Sequence, residues 1–128
     1  MHHFFWFNLY VVLNAGLLTL LACNVSRHRI HEQVANGDGG KVVLKKAIRA
    51  HGNSVEHVAI FGLIVLALTT TPLPASALGF LVLGFSFARL SHAWGMLGPQ
   101  FSARRIGAGL TFLLELVAVA LLLVYGVM

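Results

Sequence analysis

The sequence predicts an all-α protein, an integral membrane four-helix bundle, on three observations. First, 58% of the residues are hydrophobic and only 10% are charged. A soluble domain usually carries about 25% charged residues, so too few are available here to coat a water-facing surface. Second, four continuous apolar stretches each approach the roughly 20 residues that a spanning helix requires. Third, eight of the nine Lys and Arg residues, against four Asp and Glu, fall between these stretches instead of forming one basic face, Arg89 being the exception. That is the distribution of a membrane protein obeying the positive-inside rule, and it argues against a nucleic-acid partner. The composition also excludes disorder. The single cysteine excludes an internal disulfide or a Cys-based zinc cluster.

The elements follow in order within one domain, 1–128. The first helix is expected over about 4–24. It has no Lys or Arg before its apolar run, and the run is too long for a signal peptide, so it reads as a span. Leu20-Leu21-Ala22-Cys23 resembles a lipoprotein cleavage site without the flanking context that such an address needs. Cys23 is therefore read as a small buried residue. The second helix is expected over about 50–71, the third over 75–97 and the fourth over 106–127. Their apolar runs are continuous and not alternating, which favours helices over a barrel.

The connections differ in charge. Residues 25–49 hold Arg27, Arg29, Lys41, Lys45, Lys46 and Arg49, with a turn-rich, flexible stretch at Asn36-Gly37-Asp38-Gly39-Gly40. Residues 98–105 hold Arg104 and Arg105, whereas Thr69-Thr70-Thr71-Pro72-Leu73-Pro74 has no charge. The basic connections 25–49 and 98–105 are accordingly expected in the cytoplasm and both termini on the opposite side.

Ionisable residues within a span cost about 2.5–3.5 kcal/mol each on insertion scales, so they mark function or a partner. Glu56, Arg89, His92 and Glu115 are such residues. Arg49, Asn53 and Glu56 recur at i, i+4 and i+7 on one helical stripe, and Arg89 and His92 share a face at i, i+3. Glu56 lies about 10 Å along its helix from Arg49, and Arg89 about 12 Å from Leu97 at the same end. These depths predict that Glu56 and Arg89 meet, as a structural pair or through a ligand. With Arg105 near the same face, the residues outline a polar pocket for a small anionic or zwitterionic molecule. Arg104 and Arg105 have a simpler alternative reading, in which they set topology or touch anionic lipid. Glu115 either joins the pocket or is protonated and bonded to a neighbour. His51 and His57 read as interfacial or satisfied side chains, and no group of residues completes a metal site. Trp6 and Trp94 read as interfacial anchors.

Arg49-Ala50-His51-Gly52-Asn53-Ser54-Val55-Glu56 resembles the Arg-x-x-x-Asn-x-x-Glu motif in helix two of the MAPEG family. These are the membrane-associated proteins of eicosanoid and glutathione metabolism. Ala88-Arg89-Leu90-Ser91-His92 resembles the family's Arg-x-x-His motif in helix three, and Arg104-Arg105 falls where it carries a basic residue opening helix four. The resemblance runs over essentially the whole chain and is closest to the bacterial branch.

That resemblance implies a homotrimer in the inner membrane, with glutathione as co-substrate, no metal, and a cleft between subunits open to the cytoplasm. It implies glutathione contacts from Arg49, Asn53, Glu56, Arg89 and His92, with Arg27 as a looser match. Arg105 is the first choice, and Arg104 the second, for stabilising the thiolate. The implied activity is a transferase or peroxidase reaction on a lipophilic electrophile that enters from the bilayer. The chain departs from the family pattern at Met96, where several family enzymes carry a tyrosine, and at Gly52, where a basic residue is common. Two other functions fit the sequence: a non-catalytic lipid- or partner-binding protein of the same architecture, and a proton-coupled carrier using Glu56, His92 and Glu115 as a relay.

Overall fold

The computed structural model describes residues 2–128, and the described residues are helical apart from short connections. Helix α1 runs His2–Glu32, α2 Val42–Leu68, α3 Ala75–Leu97 and α4 Phe101–Leu122, after which a π-helical turn covers Leu123–Val127. All four helices are long and apolar enough to cross a membrane.

Two helices run further than their apolar stretches. α1 continues past Asn24 to Glu32, and α2 begins at Val42, ahead of residue 50. Most of the basic segment 25–49 is therefore helix, because hydropathy marks where a bilayer ends and not where backbone hydrogen bonding ends. The non-helical connection is short and ordered. Arg29 Nη1 donates to the carbonyls of Gly37 at 2.9 Å and Ala35 at 3.2 Å. Gly37, Gly39 and Gly40 all have positive φ, at 67°, 55° and 72°, a conformation that glycine adopts without steric cost. Lys41 Nζ lies 3.2 Å from Glu32 Oε2 and ties the two helix ends together.

Helices α1, α2 and α4 each present a narrow buried seam at the three- and four-residue spacing of an amphipathic helix. In α1 the seam is Tyr10, Asn14, Leu17 and Leu21, and in α4 it is Gly107, Thr111, Leu114 and Ala118. In α2 it runs Ala47, Ala50, Ser54, Val58, Phe61, Val65 and Leu68. α3 is buried over a broader face and touches all three other helices. α2 also touches α1 and α4, whereas α1 and α4 do not meet among the described residues. The cross-section is thus a rhombus with α2 and α3 on its short diagonal.

The core divides along the bundle. At the end away from the basic connections, Phe61 and Phe85 stack with centroids 3.8 Å apart, and Tyr10 leans on both. Leu68, Leu73, Leu78, Leu81 and Val82 are among the others in that cluster. At the basic end a smaller cluster holds Leu17, Leu21, Ala50, Ala93 and Met96.

Glycines set the closest approaches. A Cβ on Gly107 would strike the backbone of His92 and Ala88, and one on Gly95 would strike the backbone of Arg104 and Gln100. α3 and α4 are therefore in backbone contact there, as small residues allow in membrane bundles. Trp6 was expected as an interfacial anchor, but its ring fills the space over Gly79. Cys23, expected to be buried, is exposed, since it lies off the α1 seam.

Candidate functional site

Between the two apolar clusters lies a layer of polar side chains at the centre of the bundle. Arg89 on α3 is its hub and is fully buried. Its Nη2 donates to Asn53 Oδ1 at 2.9 Å, Ser54 Oγ at 3.1 Å and His92 Nδ1 at 3.4 Å, and its Nη1 donates to Thr111 Oγ1 at 3.2 Å. One guanidinium thus joins α2, α3 and α4. Only its Nε is left without an acceptor. Beside it, Asn14 Nδ2 donates to Ser86 Oγ at 2.9 Å and links α1 to α3. Tyr10 Oη donates to the Val58 carbonyl at 2.7 Å and links α1 to α2. His57 Nδ1 and Glu115 Oε1, 2.7 Å apart, link α2 to α4. Buried polar groups in a bilayer have no water to turn to, so this degree of internal pairing is what their burial requires.

The expected meeting of Glu56 with Arg89 does not occur. Arg89 faces four neutral partners, whereas Glu56 is exposed and has no hydrogen bond or ion pair among the described residues. The depth estimate did not include azimuth. With Ser54 at the centre of the α2 seam, Asn53 lies about 100° away, Arg49 about 140° and Glu56 about 160°, at 100° per residue. Only Asn53, at the edge of the seam, reaches inward. Arg49 and Glu56 stay on the outer flank, and both are exposed.

The sequence-predicted residues therefore form two groups. Asn53, Arg89 and His92 come together in the interior. Arg49, Glu56 and Arg105 lie outside. The adjacent arginines of α4 also part company. Arg104 sits about 20° from Thr111 on the seam side, and Arg105 about 120° from it. Arg104 lines a cavity with Lys46, Gly95 and Met96, while the Arg105 guanidinium lies 5.8 Å from the centre of the Phe101 ring. Arg27 is not drawn into either group. It bonds Asn24 on its own helix at 3.1 Å, beside His28, His31 and Glu32.

Glu115 does not join the polar pocket. It joins His57 and not the Arg89 cluster, with both side chains mostly covered. Phe112 stands edge-on to the His57 ring, with centroids 5.2 Å apart. Glu56, His92 and Glu115 consequently form no chain of hydrogen bonds, which removes the basis for a relay through them. Ser54, Ser86, Thr111 and Asn14 belong to the polar layer but were not singled out from sequence. Uncharged, they look ordinary in an apolar helix, and the only signal was their seam spacing. Among the described residues no cluster of His, Cys, Asp and Glu could hold a metal ion.

Spans that are exposed and apolar outside, with a hydrogen-bonded layer within, define a polytopic α-helical membrane protein. Within that class, the MAPEG family model matches residues 7–125, and the chain belongs to the MAPEG family. It is similar to "Inner membrane protein YecN" of Escherichia coli strain K12, with 35% identity over 104 residues, covering 81% of this chain and 79% of the relative. The YecN protein of Escherichia coli O6:H1 matches over the same share of each chain at the same identity. No solved structure matches.

Proposed function

We propose that this protein is an inner-membrane, glutathione-dependent transferase or peroxidase that acts on lipophilic electrophiles at a cleft closed by a second copy of the chain in a homotrimer. The observation that carries this reading is Glu56, an exposed carboxylate on a span with no partner among the described residues. Facing lipid, it would cost about 2.5–3.5 kcal/mol, so it calls for a cationic partner outside its own chain. Arg49 shares its stripe. Arg105 lies on the outer face of α4 in register with Phe112, seven residues on, and Phe112 touches His57 of α2. The α2–α4 flank therefore offers cations and a carboxylate along one side of the bundle.

Glutathione carries two carboxylates, one ammonium and a thiol. Arg49 forks onto a carboxylate, and Glu56 accepts the ammonium. Arg105 stabilises the thiolate, the nucleophile. The sulfur lone pair forms a bond to an activated aromatic carbon, and chloride departs with the bonding pair. Arg89 and His92 act one layer behind the ligand. Arg89, which His92 contacts, holds the α2 stripe in place through Asn53, a positioning role in place of the direct contact that the family resemblance implies. Basic connections in the cytoplasm place the flank's polar end toward the soluble thiol pool, and the apolar partner enters from the bilayer.

A glutathione titration of the purified, detergent-solubilised protein tests this. Saturable binding that weakens in Glu56→Gln and Arg49→Gln is expected. The absence of binding at millimolar glutathione sinks the reading. It would favour the non-catalytic alternative, a lipid- or partner-binding protein of the same architecture, which is supported by the four neutral partners of Arg89 and by Met96 in place of a phenol.

A further inference from the structure

At the basic end of the bundle, the start of α2, the end of α3 and the start of α4 enclose a cavity of about 240 Å³ lined by Lys46, Gly95, Met96, Gly98, Pro99, Phe101 and Arg104. Its two cations come from different helices, and neither makes an ion pair or side-chain hydrogen bond among the described residues. The chain's carboxylates are engaged or placed elsewhere. Glu32 pairs with Lys41, Glu115 with His57, Asp38 accepts from the Gly40 amide, and Glu56 stands on the outer flank of α2. The two cations are not placed to stabilise the helices, because the first turns of α2 and α4 contain no acid and a cation near a helix N-terminus opposes its dipole. Two convergent positive charges with no internal counterion fit an external anion.

The surroundings specify which kind. Phe80, Leu83, Phe87, Leu90, Trp94 and Leu97 form an exposed apolar stripe along α3 at three- and four-residue spacing. Its end, at Trp94 and Leu97, adjoins Gly95, Met96 and Gly98 of the cavity in sequence. Phe101, on the cavity wall, is also exposed. Aromatic side chains at this level sit among headgroups. Gly95, on the cavity wall, lets the α4 backbone at Arg104 come into contact with α3.

We propose that the Lys46–Arg104 cavity seats the phosphodiester headgroup of an anionic bilayer phospholipid, whose acyl chains lie along the exposed α3 stripe. Arg104 and Lys46 would donate to the phosphate oxygens from opposite walls. The site uses neither Arg49, Glu56 nor Arg105, so it stands independently of the glutathione reading.

Native mass spectrometry of the full-length protein, titrated with phosphatidylglycerol or phosphatidylcholine, tests the proposal. The parent should retain phosphatidylglycerol in preference to phosphatidylcholine. The double variant K46Q/R104Q should lose that preference by at least about tenfold, as the removal of two headgroup-level cations implies. K45Q, which removes a neighbouring charge outside the cavity, should keep the preference. Unchanged helicity by circular dichroism separates this loss from misfolding, and both substituted side chains are exposed. Equal retention of the two lipids by the parent, or an undiminished preference in the double variant, overturns the proposal. Displacement of the lipid by millimolar inorganic phosphate alone overturns the lipid assignment in favour of a free anion.

Discussion

Arg89 Nη2 lies 2.9 Å from Asn53 Oδ1, and that bond fastens a fully buried cation on α3 to the edge of the motif stripe on α2. Ser54 and Thr111 complete the cradle. No carboxylate among the described residues touches the guanidinium. The nearest acid along α4 is Glu115, one turn beyond Thr111 and therefore about 5–6 Å from it between Cβ atoms. Arg89 is stabilised by a set of neutral acceptors with a carboxylate one turn away, and this explains why α2, α3 and α4 must be arranged together.

Replacing Arg89 should consequently unsettle three helices together. Arg89→Met leaves Asn53, Ser54 and Thr111 without their donor and should lower stability by about 2–4 kcal/mol, since individual interhelical bonds in bilayers average about 0.6 kcal/mol and orphaned polar groups add to that. Arg89→Lys should recover part of this, because one ammonium cannot span Asn53 and Thr111 in the same geometry. The measurement is SDS-induced loss of helicity in mixed micelles. Full stability in Arg89→Met would show that the cradle does not hold the bundle.

The α3–α4 contact should be intolerant of a single methyl group. Gly107→Ala puts a Cβ into the backbone of His92, and Gly95→Ala puts one into the backbone of Arg104. Backbone cannot move aside as a side chain can, so each should cost about 1–3 kcal/mol. Gly109→Ala is the control, because nothing lies within 4 Å of its Cβ position, and it should be neutral or slightly stabilising. If all three variants melt alike, the helices are further apart than described.

The His57–Glu115 bond should appear as a coupling energy. Single substitutions His57→Phe and Glu115→Gln each disturb a contact of 2.7 Å between α2 and α4. A double-mutant cycle should return about 1 kcal/mol between them, within the range seen for membrane hydrogen bonds. Additive single effects would mean that the two side chains do not act as a pair.

On the proposed activity, Arg105→Ala should slow glutathione conjugation of a chlorinated aromatic by about 10–100-fold at neutral pH, because a thiol pKa raised by one to two units leaves that much less thiolate. Arg104→Ala, which faces the α3 side and the lipid cavity, should keep most of the turnover. Both side chains are exposed, so neither variant should lose fold. Equal turnover in Arg105→Ala and the parent removes Arg105 from the chemistry.

Hydropathy and charge placement alone defined four spans, their order and the basic end. They did so because a bilayer tolerates only long apolar helices, a constraint that is local and leaves its mark on composition. Motif spacing likewise selected Asn53, Arg89 and His92, which do come together. Spacing could not say which way each face turned. Whether Glu56 met Arg89 depended on the rotation of α2 about its own axis, and that is set by side chains on three other helices. The packing of the Ser54 seam against α1, α3 and α4 turns Glu56 and Arg49 outward and leaves Arg89 to neutral partners. The division between Arg104 and Arg105, one residue apart in sequence, was likewise decided in three dimensions. A step of 100° separates a cavity wall from an outer flank, and only the packing of α4 on α3 says which residue receives which.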